Sequence, residues 1–129
     1  MISVDTNIIV RLLTRDDPGQ FDRAKALFEK EQIFIATTVV LESEWVLKYA
    51  YKFPPIRIAD AFESLFGLTN VTLHEPDIIS DALGWHRQGL DFADALHLAK
   101  SQEQESFVTF DKKLIKTASQ ITGQSVKEP

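Results

Sequence analysis

The chain has 129 residues, which is enough for one domain with its own hydrophobic core. It is 44% apolar and 26% charged, as in an ordinary soluble globular protein, and its net charge of −5 argues weakly against broad nucleic-acid binding. It contains no cysteine, which excludes disulfides and thiolate zinc sites. There is no recognisable signal peptide and no apolar stretch near the roughly 20 residues of a membrane span. We therefore expect a single cytoplasmic domain over residues 1–129, without membrane contact.

Short apolar segments alternate with amphipathic ones along the whole chain. The predicted strands cover residues 2–5, 33–36, 71–73 and 107–110, with an edge strand at 125–126. The predicted helices cover about 7–14, 18–30, 37–51, 56–66, 77–87, 92–104 and 112–122. The strands lack polar alternation, which is typical of parallel strands buried on both faces. The pattern predicts an α/β fold, a three-layer α/β/α arrangement around a short, mostly parallel central sheet, with ligands at the carboxyl ends of the strands.

Two aspartates directly follow predicted strands. Asp5 ends the first strand, and Asp111 ends the strand over 107–110. Both are expected at the carboxyl edge of the sheet. Taken singly, each is better explained as the N-cap of the next helix, because Asp is a preferred N-cap residue.

Glu42 lies early in the helix that follows the second strand. Its neighbours at three and four residues include Val39 and Trp45, so the pattern predicts that Glu42 faces inward. Glu44 has Lys48 four residues later, in the favourable order for a surface ion pair. An inward carboxylate must find a cation or become protonated. Glu42 is therefore the better candidate for a site.

A third group of acids occurs in the segment GLDFADALHLAKS. Asp91 follows Gly89 and is predicted to be an N-cap, which places Asp94 at position N3 of the same helix. His97 lies on the face of Asp94, but one carboxylate with one histidine is a weak metal motif, and a packing or hydrogen-bonding role for His97 is preferred.

Carboxylates that gather at one sheet edge repel one another unless a cation binds among them. Asp5, Glu42, Asp94 and Asp111, with Asp91 as a further possibility, would offer only oxygen ligands, which favours Mg²⁺ or Mn²⁺ over zinc. The chemistry that such a centre serves best is metal-assisted hydrolysis of a phosphodiester.

The same segments resemble a known family. SVDTNIIVRLL at 3–13, TTVVLESEWVLKYAY at 37–51, GLDFADALHLAKSQ at 89–102 and FVTFDKKL at 107–114 are together similar to a PIN domain, and more narrowly to the VapC-type toxins of prokaryotic toxin–antitoxin pairs. The resemblance covers essentially the whole chain. It implies an Mg²⁺- or Mn²⁺-dependent endoribonuclease that forms a homodimer and is covered by a cognate VapB-type antitoxin.

The resemblance also implies a role for individual residues. Asp5, Glu42, Asp94 and Asp111 match the four acids of the family, and Asp91 matches an extra acid that some members carry. Thr109 matches a small hydroxyl residue two positions before the last acid, and Asn7 the polar residue after the first acid. By hypothesis the four acids hold one or two ions while water attacks the phosphorus and the 3′-oxygen leaves. Glu42 and Asp94 are both candidates for the general base.

Basic residues near the acidic edge are candidates for contact with the RNA backbone. They lie on the helices that begin at that edge, and they are Arg11, Arg15, Lys112, Lys113 and Lys116. Each has the alternative explanation of a solvated helix face.

Other functional classes remain as alternatives. A haloacid-dehalogenase type phosphatase needs Asp-x-Asp after the first strand, whereas Asn7 occupies the third position here. A receiver domain needs its phosphorylated aspartate at the end of a middle strand, where this chain has His74 and Glu75. A non-catalytic PIN-fold module that only binds a protein partner would be suggested by a missing acid, and no acid is missing.

Overall fold

A computed structural model describes residues 1–129, and it divides the chain into two compact units, Met1–Pro76 and Asp77–Pro129. Seven helices and five short strands alternate along the sequence. None of the helices combines the length and hydropathy that a membrane span requires.

The first unit contains a three-stranded parallel sheet with the order β1-β2-β3. Its elements in chain order are β1 (Ile2–Ser3), α1 (Thr6–Thr14), α2 (Pro18–Lys30), β2 (Ile33–Ile35), α3 (Thr37–Tyr49), α4 (Pro55–Phe66) and β3 (Val71–Leu73). In the central strand, Ile33 pairs with Ile2 on one side and Val71 on the other. Because all three strands are parallel, their carboxyl ends lie at one edge, where Asp5 follows β1 and Thr37 follows β2.

Apolar residues of the sheet and helices form the core of the first unit. Ile33 and Ile35 of β2 are almost fully buried, as are Leu47 of α3, Ile58 of α4 and Phe62 of α4. Phe34, which lies between the two isoleucines of β2, is only half-buried, and Ile2 and Ser3 of β1 are exposed, so the prediction that the strands are buried on both faces is wrong for most of this sheet.

At the carboxyl edge of this sheet, Thr37 at the start of α3 contacts His74 and Glu75, which follow β3. The Thr37 hydroxyl lies within hydrogen-bond distance of the His74 carbonyl oxygen (3.2 Å) and of a Glu75 carboxylate oxygen (2.9 Å). Glu75 has a positive φ of 56°, which is uncommon for a residue other than glycine. The contact fixes the start of α3 against the end of β3.

The second unit contains α5 (Pro76–Arg87), which begins at the boundary, then α6 (Phe92–Ala99), β4 (Phe107–Val108), α7 (Lys112–Ile121) and β5 (Val126–Lys127). Its strands form a parallel pair, in which Phe107 is opposite Val126. Ala82, Phe92 and Ala118 are fully buried.

The predicted α/β fold with short parallel strands is confirmed, and the structure is consistent with a three-layer α/β/α fold. The strands form two sheets, of three and two strands. The largest error in an element is the helix predicted to reach residue 104, since α6 ends at Ala99. There the Ser101 hydroxyl donates to the carbonyl of His97 (2.7 Å), so a polar side chain satisfies a helix-end carbonyl instead of continuing the helix.

Candidate active site

Asp5 is the N-cap of α1, as its sequence predicts. Its Oδ1 accepts a hydrogen bond from the Ile8 amide at 3.2 Å, which sets the direction of the carboxylate. The side chain is exposed, and Oδ2 has no hydrogen-bond partner in the chain. Asp5 therefore caps a helix with one oxygen and presents the other to solvent at the sheet edge.

Glu42 is connected to the residue that follows Asp5. The hydroxyl of Thr6 donates a hydrogen bond to Glu42 Oε1. Thr6 is buried, with 7% of its surface exposed, so its hydroxyl has little freedom to choose another partner. The contact joins the first turn of α1 to α3 and brings Glu42 to the same end of α1 as Asp5.

The predicted orientation of α3 is wrong. Glu42 is exposed, whereas Glu44 is buried with 3% exposure and shares the buried face with Val40 and Leu47. The prediction relied on the apolar neighbours of Glu42, but Trp45 is itself 58% exposed. Because a large apolar side chain does not have to face the core, the apolar neighbours of Glu42 do not identify the buried face of α3. Glu42 is instead held by a hydroxyl from another helix.

Asp91 and Asp94 occupy the first turn of α6. Asp91 is its N-cap, and Asp91 Oδ2 accepts a hydrogen bond from the Asp94 amide at 3.2 Å. Asp94 is half-buried, between the buried residues Phe92 and Ala95. The predicted N-cap and N3 positions are confirmed. His97 is exposed one turn further along.

Asp111 is the N-cap of α7. Its Oδ1 accepts from the Leu114 amide at 3.0 Å, and Oδ2 has no hydrogen-bond partner in the chain. The Asp111 amide donates to the hydroxyl of Thr109 at 3.1 Å, so Thr109 fixes the turn from which Asp111 projects. This contact gives Thr109 a physical role two residues before the acid.

The structure does not confirm the predicted cluster of four carboxylates. It contains no group of three or more His, Cys, Asp and Glu side chains that could hold a metal ion. Asp5 and Glu42 lie in the first unit, and Asp94 and Asp111 lie in the second. Carboxylate oxygens are the donors that Mg²⁺ and Mn²⁺ prefer, so the chemistry of the donor set fits such an ion.

A cleft of about 510 Å³ lies between α1 and α2 and begins at Asp5. Its lining consists of Asp5, Asn7, Ile8, Arg11, Gln20, Arg23, Ala24 and Leu27. Two residues predicted to belong to the site, Asn7 and Arg11, line this cleft together with Asp5. It also contains Arg23, which the sequence alone did not single out and which makes no hydrogen bond or ion pair within the chain.

Arg11 is already engaged by other side chains. It donates to Gln20 at 2.6 Å and to the Tyr51 hydroxyl at 2.9 Å, and it forms an ion pair with Asp16 at 3.3 Å. The hydrogen bond with Tyr51 is the main cause of a pKa raised above the ordinary value for Arg11. Arg23 is therefore the more available guanidinium of the cleft.

The other predicted basic residues differ in their environments. Arg15 ends α1 with a positive φ of 57°, and its guanidinium lies 4.7 Å from the centre of the Phe21 ring. Lys112, Lys113 and Lys116 of α7 are exposed and form no ion pair or hydrogen bond through their side chains. These three lysines remain free to bind an anion.

Comparison with known proteins identifies a family. The PIN domain model matches residues 2–120, which is most of the chain. No curated protein and no solved structure matches the chain significantly.

Proposed function

The chain belongs to the PIN domain family, and on that premise we propose that it is a divalent-metal-dependent endoribonuclease, the toxin of a VapC-type toxin–antitoxin pair. PIN domains are typically nucleases, and those nucleases generally use divalent metals.

The observation that carries the proposal is the hydrogen bond from Thr6, the residue directly after Asp5, to Glu42. A buried hydroxyl orients a carboxylate that is otherwise exposed, and the neighbouring carboxylate is oriented by a helix cap. Neither carboxylate forms an ion pair within the chain. Oriented acids without a cationic partner at the carboxyl edge of a parallel sheet are the arrangement expected of a site that binds a cation from solution.

We assign Asp5, Glu42, Asp94 and Asp111 as the residues that would hold Mg²⁺ or Mn²⁺, with Asp91 as a further candidate. When bound, such an ion supplies charge stabilisation of the phosphate oxygens and activation of water. The chain itself orients the acids: helix amides hold Asp5 and Asp111, and the Thr6 hydroxyl holds Glu42. Asn7 and Thr109 support the first and last acids.

We assign contact with the RNA backbone to cations of the cleft and of the helices that begin at Asp5 and Asp111. They are Arg23 with Arg11 in the cleft, Arg15 at the end of α1, and Lys112, Lys113 and Lys116 on α7. Local positive charge of this kind offsets the net charge of −5 for a polyanionic substrate.

The proposal includes a homodimer and a cognate VapB-type antitoxin. An aromatic pair on α3 supports the homodimer: Trp45 and Tyr49 are 58% and 49% exposed, and their ring centres lie 5.2 Å apart. Exposed aromatic residues are enriched at protein interfaces. Light scattering of the wild type and of Trp45→Arg tests this part, since the dimer should dissociate in the variant. If Trp45→Arg has the same molar mass in solution as a dimeric wild type, α3 does not form the dimer interface.

The catalytic proposal is tested with purified protein and a structured RNA. We expect cleavage in Mg²⁺ or Mn²⁺, none with a chelator, and recovery when the ion is restored. Asp94→Asn is the matched variant and should be inactive in every condition. Cleavage that persists in chelator would contradict the metal dependence. Absence of cleavage in both ions, with RNA-independent binding of a protein partner, would favour the non-catalytic alternative.

A further inference from the structure

Phe110 is the most exposed large apolar side chain of the protein, with 81% of its surface accessible. It lies between Thr109 and Asp111, two residues already assigned to the candidate site. Single exposed apolar residues are common on protein surfaces, so the exposure alone identifies nothing. What distinguishes Phe110 is the backbone around the ring and the charged residues that follow it in the sequence.

The backbone on both sides of Phe110 is held by hydrogen bonds. The Thr109 amide donates to the carbonyl of Lys127 at 3.0 Å, and the Asp111 amide donates to the Thr109 hydroxyl at 3.1 Å. Asp111 in turn accepts from the Leu114 amide at 3.0 Å. Phe110 therefore stands on a fixed turn, and its ring is presented to solvent with little backbone entropy left to lose on binding.

Two cations, Lys112 and Lys113, follow Phe110 in the sequence directly after Asp111. Lys112 and Lys113 are exposed, and neither makes an ion pair or hydrogen bond through its side chain. An aromatic ring beside unpaired cations is the combination with which proteins bind single-stranded nucleic acid, since bases stack on the ring and phosphates bind the cations. One ring that is followed in the sequence by an aspartate and two lysines offers little continuous apolar area to a protein partner.

We propose that Phe110 stacks on an unpaired base of the RNA beside Asp111 and thereby strengthens the binding of single-stranded segments at this position. The proposal rests on the endoribonuclease function proposed above. A base in a duplex is already stacked on both faces, whereas a base in a loop can turn out onto a ring. Phe110 is then a specificity-determining residue, and the lysines hold the adjacent phosphates.

The test measures binding separately from cleavage. Fluorescence anisotropy follows a labelled single-stranded RNA decamer, and the same strand annealed to its complement, in chelator. Phe110→Ala should weaken single-strand binding about tenfold, the size expected for one lost base stack. Phe110→Leu should weaken it similarly, because leucine is apolar but has no aromatic face, and Phe110→Tyr should stay within about twofold of wild type. Duplex binding should not change.

Val108→Ala is the matched control, since Val108 is 51% exposed on the strand just before the turn. It should bind both RNAs as the wild type does. Equal single-strand affinities of Phe110→Ala and Val108→Ala would contradict base stacking. Wild-type affinity of Phe110→Leu would also contradict it, and would indicate a simple apolar contact instead. If the wild type binds the single strand through Phe110 but never cleaves it, the proposed nuclease function is wrong and base stacking by Phe110 stands. If the wild type cleaves RNA and Phe110→Ala binds RNA normally, base stacking is wrong and the nuclease function stands. If the wild type binds no RNA, both proposals are wrong.

Discussion

The hydroxyl of Thr6 donates a hydrogen bond to the carboxylate of Glu42, and Thr6 directly follows Asp5. A residue that contacts neither substrate nor ion in our proposal thus holds an acid that does. Thr6 is a positioning residue, and its role can be separated from that of the acids.

Thr6→Val should lower the rate of RNA cleavage by about tenfold, because a hydrogen bond to a charged group contributes about 1.5 kcal/mol or more. Valine fills nearly the same space as threonine, and water can bind the exposed Glu42 carboxylate instead, so the protein should still fold with only a small fall in melting temperature. Thr6→Ser keeps the hydroxyl and should restore most of the rate. The ion concentration for half-maximal activity should rise in Thr6→Val alone. If the serine and valine variants lose activity equally, packing of the methyl group is what matters.

Glu42 and Glu44 should separate activity from stability. Glu42→Gln keeps an acceptor for Thr6 but removes the charge, so we expect a loss of cleavage of about a hundredfold or more with an unchanged fold. Glu44 is buried at 3% exposure, so Glu44→Ala should instead lower the free energy of unfolding by about 1–3 kcal/mol. Urea denaturation and initial cleavage rates, measured on both variants, give the comparison. Inactivity of a well-folded Glu44→Gln protein would return Glu44 to the list of site candidates.

Asp5 should show two roles that different substitutions separate. Asparagine is as good an N-cap as aspartate, so Asp5→Asn should keep the stability and lose cleavage. Asp5→Ala should lose cleavage and also about 1 kcal/mol of stability, since the Ile8 amide then lacks its cap. Thermal denaturation beside a cleavage assay distinguishes them. An active Asp5→Asn protein would leave Asp5 with the capping role alone.

Local chemistry explains which of these features could be predicted from the sequence. The sequence predicts Asp5, Asp91 and Asp111 as N-caps because capping depends on a few adjacent residues, and all three caps are present. Short apolar strands between turn residues also have strong local signals. The boundaries of the elements are correspondingly close to the predicted ones, apart from the end of α6.

Features that depend on contacts between distant segments could not be predicted in this way. The interpretation of Glu42 and Glu44 used neighbours on one helix, but the buried face of α3 is set by what packs against it. The contact between Thr6 and Glu42 joins residues 36 positions apart, and no periodicity within α3 indicates it. Arg23 lies in a cleft that two helices form together, and no pattern within α2 distinguishes it from the other cations of an exposed helix.

Arg23 should contribute to RNA binding through its charge. Arg23→Ala should weaken binding of a single-stranded RNA in chelator and reduce the slope of log affinity against log salt by about 0.7, the value for one phosphate contact on a single strand. Lys25→Ala removes the same charge from the same helix, where Lys25 pairs with Glu29 at 3.5 Å outside the cleft. This control should keep the wild-type slope. Equal slopes in the two variants would show that only net charge matters.

Asp16 should make the stability of the first unit depend on pH. Hydrogen bonds from the hydroxyls of Tyr51 and Thr14, and then the charge of Arg11, lower the pKa of its carboxyl below the ordinary value. Because the pKa is lower in the folded state, the ionised carboxylate stabilises the fold fully above the ordinary pKa of about 4 and loses this contribution as the pH falls through the folded-state pKa. The melting temperature of Asp16→Asn should therefore lie below that of wild type near neutral pH.

The difference between wild type and Asp16→Asn should shrink below about pH 4, as wild-type Asp16 becomes protonated and loses the advantage of its charge. Asp22→Asn is the control, since Asp22 is exposed on α2 and makes no hydrogen bond or ion pair, and its melting temperature should follow the wild type at each pH. Calorimetric scans between about pH 7 and pH 3 cover both sides of the transition. A constant gap across this range would mean that Asp16 acts through the shape of its hydrogen bonds and not through its charge.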